Sequence, residues 1–308
     1  MKVFLASPRG FCAGVERAIE IVERALEKHG SPIYVRHEVV HNKHVVNELK
    51  NKGVVFIDEI NRIPKGSVVI FSAHGVSQKV RSQAKSMTST IYDATCPLVT
   101  KVHKEVVRRQ KQQYQVILIG HKNHPEVEGT LGQSTDTNSI SLVESIKDLE
   151  SLDYQPETNL SYTSQTTLSV DDTMLLVEAL ETKFPWIQAP KKNDICYATQ
   201  NRQDSVKAII EDAEVLIVIG STNSSNSNRL KEIAEKKQKP AYLIDGSDDI
   251  NNEWLAGINS VGVTAGASAP EVLVQEVVNF LIDNGAKEVI EYNGFNESMH
   301  FPVPSALK

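Results

Sequence analysis

Short apolar, β-branched runs punctuate the chain at residues 54–57, 68–71, 116–119, 215–219, 241–244 and 261–263, each closing at a small or polar residue. Between them lie stretches with apolar positions at helical spacing. The clearest predicts a helix over 15–29, where Val15, Ala18, Ile19, Val22, Ala25 and Leu26 share one face and Gly30 can end it in the left-handed conformation. Similar spacing predicts helices at 43–52 before Gly53, 98–112, 171–184, 228–237 and 270–284 before Gly285. Such alternation means mainly parallel sheets flanked by helices, an α/β protein.

A degenerate repeat refines the picture. Strand ends of one grammar occur at IFSAHGVS, ILIGHKNHPEVEG and IVIGSTNSSNSNR, each ahead of a helix. Three similar α/β lobes are therefore expected, at 14–96, 97–193 and 194–284, after an N-terminal strand and ligand segment at 1–13. The remainder, 285–308, is read as an irregular tail laid over the surface.

At 308 residues, 40% hydrophobic and 23% charged, the chain has the composition of a globular protein with two or three cores. No run approaches a membrane span, and the apolar start at 3–6 is too short for a signal-peptide core before Pro8. A cytoplasmic location is expected, where thiols stay reduced and an odd cysteine count needs no disulfide. The net charge of −6 argues against a bulk nucleic-acid binder.

Composition becomes chemistry at the cysteines. Only Cys12, Cys96 and Cys196 are present, in the polar motifs PRGFCAGVERA, DATCPLVTK and DICYATQNRQ, each next to a predicted helix start. One cysteine per lobe suggests three units converging on a metal or cluster with one coordination position left open. Lone cysteines are ordinarily inert small hydrophobes, but none of these lies in an apolar run.

Strand ends in open α/β sheets are where ligands bind. Here they carry His41, His74, His124 with Glu126, the run Ser224, Ser225, Asn226, and Ser268. Taken singly, each reads as a loop or helix-capping residue. Jointly, imidazoles, hydroxyls and amides at helix starts make an anion site. No P-loop or GxGxxG follows a strand, and the candidate pocket holds little Lys or Arg, which favours a compact diphosphate over a nucleotide.

The motifs PRGFCAGVERAIE, EVVHN, SAHGVS, DATCPLV, HPEVEGT, SQTTLS, DICYATQNRQ, GSTNSSNSNRL and VTAGASAPE, in that order, resemble the 4-hydroxy-3-methylbut-2-enyl diphosphate reductase family from residue 3 to about 275. The resemblance implies three α/β lobes around a pseudo-threefold axis. It implies one central 4Fe-4S cluster per chain, held by Cys12, Cys96 and Cys196, with the apical iron open to substrate. The implied reaction is reductive dehydroxylation of the allylic diphosphate to isopentenyl and dimethylallyl diphosphate, the last step of the methylerythritol phosphate route. By the same resemblance, His41, His74, His124, Ser224, Ser225, Asn226 and Ser268 hold the diphosphate. Glu126 supplies the proton, and Thr166 of SQTTLS positions the hydroxyl or a relay water.

A carboxyl beside an anionic diphosphate and thiolates should have a raised pKa. With no flavin or nicotinamide motif, the two electrons must come from an external one-electron donor of ferredoxin or flavodoxin type. Neither nucleic acid nor membrane is expected as partner, and the assembly expected is a monomer or homodimer. Two other readings stay open. One is a zinc hydrolase, its metal held by the three cysteines, acting on a phosphorylated small molecule; the lack of close-spaced ligand pairs disfavours it. The other is a non-catalytic iron–sulfur redox sensor, for which a diphosphate pocket has no use.

Overall fold

Strands and helices alternate along most of the chain in a computed structural model that describes residues 1–308 apart from Ser89, Thr135 and Asn293. The first stretch runs β1 (Lys2–Leu5), α1 (Ala13–His29), β2 (Ile33–Arg36), α2 (Lys43–Asn51), β3 (Val54–Ile57), β4 (Val69–Phe71), α3 (Gln78–Met87) and β5 (Ile91–Asp93). The second runs α4 (Pro97–Lys111), β6 (Gln115–Ile119), α5 (Pro125–Leu131), β7 (Ile140–Val143), α6 (Ile146–Glu150), β8 (Leu160–Ser164) and α7 (Val170–Lys183). The third runs α8 (Tyr197–Ile209), β9 (Val215–Ile219), α9 (Ser225–Lys236), β10 (Ala241–Ile244), β11 (Ser260–Ala265), α10 (Glu271–Asp283) and β12 (Glu288–Glu291).

Three sheets result, ordered β3-β2-β4-β5, β7-β6-β8 and β10-β9-β11-β1-β12. Every strand pairing among the described residues is parallel. By packing, the chain divides into two compact units. One comprises Met1–Glu16, Val40–Glu48 and Tyr197–His300; the other comprises Arg17–Val39, Leu49–Cys196 and Phe301–Lys308.

The first unit holds the five-stranded sheet. β9 is buried at all five positions because both its faces are covered. Val215, Ile217 and Ile219 point to one side, toward Leu273, Val274, Val277 and Leu281 of α10. Leu216 and Val218 point to the other, toward Val206 and Ile209 of α8 and Leu230 of α9. Each fully buried Leu or Ile there contributes about 1.5–3 kcal/mol. The second unit holds the other two sheets, with cores around Phe71, Ile63 and Ala84 for one, and around Ile117, Leu160 and Leu180 for the other.

Gly30, Gly53 and Gly285 all follow helices with positive φ, as the sequence predicts. The tail differs from expectation. Glu288–Glu291 is a strand, paired in parallel with β1. Its side chains are mostly exposed, so no apolar run marks it, and backbone pairing alone makes it a strand. In the second unit, residues 301–308 lie along α1. Arg17 donates to the Pro302 carbonyl at 2.9 Å, Arg24 to Leu307 at 3.0 Å and Lys28 to Ala306 at 2.7 Å, while Val303 and Leu307 are buried.

Candidate active site

In the second unit, a single run of contacts joins all six candidate residues found there. Cys96 caps α4, with Pro97 as the first helical residue, and its N–H donates to the Ala73 carbonyl at 2.9 Å. Next in sequence, His74 meets His124 edge-on with ring centroids 5.9 Å apart. His124 caps α5, its Nδ1 accepting from the Glu126 N–H at 3.1 Å. Thr166 then donates its N–H to Glu126 Oε1 at 2.7 Å and its hydroxyl to Oε2 at 3.0 Å. Finally the Thr166 carbonyl accepts from the Cys196 N–H at 3.0 Å.

Glu126 is 2% exposed, and burial pushes its carboxyl up to about 7 against the opposing pull of the two Thr166 hydrogen bonds. The charge of Asp194 adds to the rise. The direction is the one expected from the sequence, and here burial is the largest cause. Asp194 is itself buried, accepting from the Thr163 hydroxyl at 2.7 Å and the Ser164 N–H at 3.2 Å, and paired with Lys101 at 3.1 Å.

Linkage follows from the raised pKa. An unfolded chain ionises Glu126 near its ordinary 4.5, the folded chain only near 7, so the folded state binds more protons in between. The contribution of Glu126 to stability is full below pH 4.5 and is lost as pH rises through about 7, about 3 kcal/mol in all. Urea unfolding of the cluster-free protein at pH 5 and pH 8 measures this. Glu126→Gln should remove that component of the pH dependence, and identical slopes in both proteins would refute it.

In the first unit, the segment after β11 organises the remaining candidates. The Ala267 carbonyl accepts from the Cys12 N–H at 3.2 Å, and its N–H donates to Asn226 Oδ1 at 2.9 Å. Ser268 donates its hydroxyl to the His41 carbonyl at 2.8 Å, and the His41 ring lies 3.3 Å from the Asn223 amide. Ser224 caps α9, accepting from the Ser227 N–H at 3.3 Å, and Ser225 opens that helix. Gly10, at φ +66, brings the chain within hydrogen-bonding reach of the Ala265 carbonyl, 3.1 Å away, just before Cys12.

Arg202 supports Cys12 from behind. It is fully buried, donates to the Gly10 and Phe11 carbonyls at 2.9 and 3.1 Å, and pairs with Glu297 at 3.0 Å. Burial pushes the Cys12 thiol up, while the Arg202 charge and the N–H groups of Val15 and Gly14 pull it down.

A protein-family model described as LytB protein matches residues 3–282. The chain belongs to the LytB family. It is 64% identical over 308 residues to the 4-hydroxy-3-methylbut-2-enyl diphosphate reductase of Ruthia magnifica subsp. Calyptogena magnifica, covering 100% of both. To the Bordetella pertussis protein of the same name it is 57% identical over 306 residues, covering 99% of this chain and 94% of the relative. Among solved structures, the Plasmodium falciparum E-1-hydroxy-2-methyl-but-2-enyl-4-diphosphate reductase superposes with a TM-score of 0.96 at 39% identity, covering 99% of this chain and 96% of that one.

The cysteine thiols of this LytB chain are donors of the kind that iron–sulfur clusters take. No disulfide joins the three cysteines, each is half-buried, and each directly precedes a helix: Cys12 before α1, Cys96 before α4, Cys196 before α8. A helix start favours thiolate. Donors that are all sulfur select iron–sulfur or zinc chemistry. Among the described residues no three His, Cys, Asp or Glu side chains gather tightly enough for a single metal ion.

Sequence reasoning gave no site role to two charged residues, Arg202 and Asp194. Both sit inside motifs it singled out, in DICYATQNRQ. Their partners, Glu297 and Thr163, are distant in sequence, so only the fold reveals them.

Proposed function

We infer that this chain is an oxidoreductase that reductively dehydroxylates 4-hydroxy-3-methylbut-2-enyl diphosphate to isopentenyl and dimethylallyl diphosphate, closing the methylerythritol phosphate route. Membership of the LytB family supports this, and so do its relatives' names. The observation that carries the reading is Glu126, a buried carboxyl held by Thr166 whose pKa is raised to about 7, so that a substantial share stays protonated near neutrality. Hydroxide is a poor leaving group, so C–O cleavage needs a positioned acid. Glu126 supplies that proton, and Thr166 fixes the direction of its carboxyl.

Cys12, Cys96 and Cys196 would hold the 4Fe-4S cluster, which when bound supplies electrons and a Lewis-acidic iron. His41, His74, His124, Ser224, Ser225, Asn226 and Ser268 would hold the diphosphate. Its two electrons come from an external carrier of ferredoxin or flavodoxin type. Lobe bounds near Cys96 and Cys196, a cytoplasmic location and a monomeric or homodimeric state belong to the same proposal.

Anaerobic reconstitution followed by substrate reduction with reduced viologen tests the reading. Brown protein that forms both products supports it. Colourless, zinc-loaded protein returns the hydrolase, and brown protein without turnover returns the sensor.

The histidines make a separate prediction. A bound dianion raises a histidine pKa, so diphosphate inhibition should weaken as pH rises. His41→Asn and His124→Asn should each lose about 1.5–3 kcal/mol, roughly ten- to a hundred-fold in affinity. Asn can still cap α5 at position 124, so folding is spared. Inhibition constants equal to wild type at every pH would make these histidines ordinary loop residues.

A further inference from the structure

Helix α4 carries a cationic face that none of the proposed chemistry uses. Two adjoining hollows of about 460 and 610 Å³ flank it, both open to solvent, sharing Asp93, Thr95, Thr100, Lys104 and Arg108. Six cations line them: Arg17, Arg81, Lys101, Lys104, Arg108 and Lys111. The acids are fewer and already committed. Asp93 pairs with Arg81 at 2.7 Å, and Glu105 is shared by Arg108 and Arg109 at 2.5 and 2.8 Å. Lys104 and Lys111 are exposed and enter no ion pair among the described residues. Four of the six cations, Lys101, Lys104, Arg108 and Lys111, lie on α4 itself, in a chain whose net charge is −6.

That helix begins at Cys96, whose sequence neighbours Thr95 and Pro97 both line the hollows. From Cys96 to Lys104 is about 12 Å along the axis, and to Lys111 about 22 Å. Small phosphorylated ligands are bound by donors converging on a few oxygens in a concave pocket. Cations strung over about 22 Å beside shallow hollows instead match a charged protein surface.

We propose that the cationic face of α4, from Thr95 to Lys111, docks an acidic one-electron carrier protein beside Cys96. The inference rests on the reductase reading above, whose electrons must come from outside the chain. Two reduced carriers each give up one electron per substrate. With two protons, these electrons replace the C–OH bond by C–H and release water. The positive face steers the carrier to the cysteine and orients it there.

Holoenzyme carrying Lys104→Glu with Lys111→Glu, and a milder Lys104→Ala with Lys111→Ala, is assayed with two donors, a reduced plant-type ferredoxin and reduced methyl viologen. The charge reversal should lower ferredoxin-driven turnover tenfold or more at low salt, and flatten its dependence on ionic strength. The alanine pair should fall between it and wild type. Viologen-driven kcat and the KM for substrate should not change. Loss with both donors, or with neither, overturns the docking assignment. Retained ferredoxin turnover together with a second equivalent of inorganic diphosphate bound by wild type but not by the Glu pair would make the face a small-anion site instead, which also overturns it. If wild type fails with viologen as well, it is the reductase reading that falls.

Discussion

Replacing Glu126 by Gln lowers turnover by about 10²-fold or more and leaves diphosphate affinity close to wild type. The amide oxygen can still accept the Thr166 N–H, now made at 2.7 Å, so the helix start and its neighbours keep their places. What disappears is the transferable proton. Because the carboxyl titrates near 7, wild-type turnover should itself decline as pH rises through that value, and the Gln variant should show no such limb. Anaerobic steady-state rates with reduced viologen, paired with diphosphate inhibition constants, separate the two effects. Near-normal turnover in Glu126→Gln would hand proton delivery to another group or to the diphosphate itself.

Arg202→Ala should destabilise the protein by about 3–5 kcal/mol, the range for removing one partner of a buried ion pair. Arg202 is fully buried, and its loss leaves Glu297 without its cation and the Gly10 and Phe11 carbonyls without their donor. Those two residues lead directly into Cys12, whose thiol would rise further once the Arg202 charge is gone. Iron content after reconstitution should therefore fall along with the urea midpoint. Lys at 202 restores the charge but not the fork that reaches two carbonyls and a carboxylate together, so it should fall in between. A loss below about 1 kcal/mol with full iron loading would show that the Cys12 loop holds itself.

Residues 54–57, 215–219 and 241–244 form strands where their apolar runs predict them, and α1, α4, α7, α9 and α10 fall within three residues of the helices read from periodicity. The polar residues read as lying at strand ends do follow strands: His74 comes after β4, His124 after β6, Ser224 after β9 and Ser268 after β11. Glu126, Thr166, His124 and His74 turn out to share one run of contacts in the second unit. Less was legible where a role depends on distant partners. Arg202 meets Glu297 only through the fold, and Asp194 becomes a buried anion only once Thr163 and Ser164 reach it. Burial, not pattern, sets the acidity of Glu126, and depth cannot be read from a motif. β12 escaped because an edge strand with exposed side chains has no hydrophobic period to display.

The position of β1 bears on how the protein is made. Its four residues lie between β11 and β12, which start at Ser260 and Glu288. During synthesis the first strand leaves the ribosome long before either neighbour exists. At 5–20 residues per second the wait is roughly 15–60 seconds. For that time an apolar strand has two unpaired edges and no sheet to enter, a state prone to association with other chains. A nascent chain of this protein should therefore depend on chaperone cover late into translation, and truncation before β11 should yield an insoluble product even though the strands of the second unit are already complete.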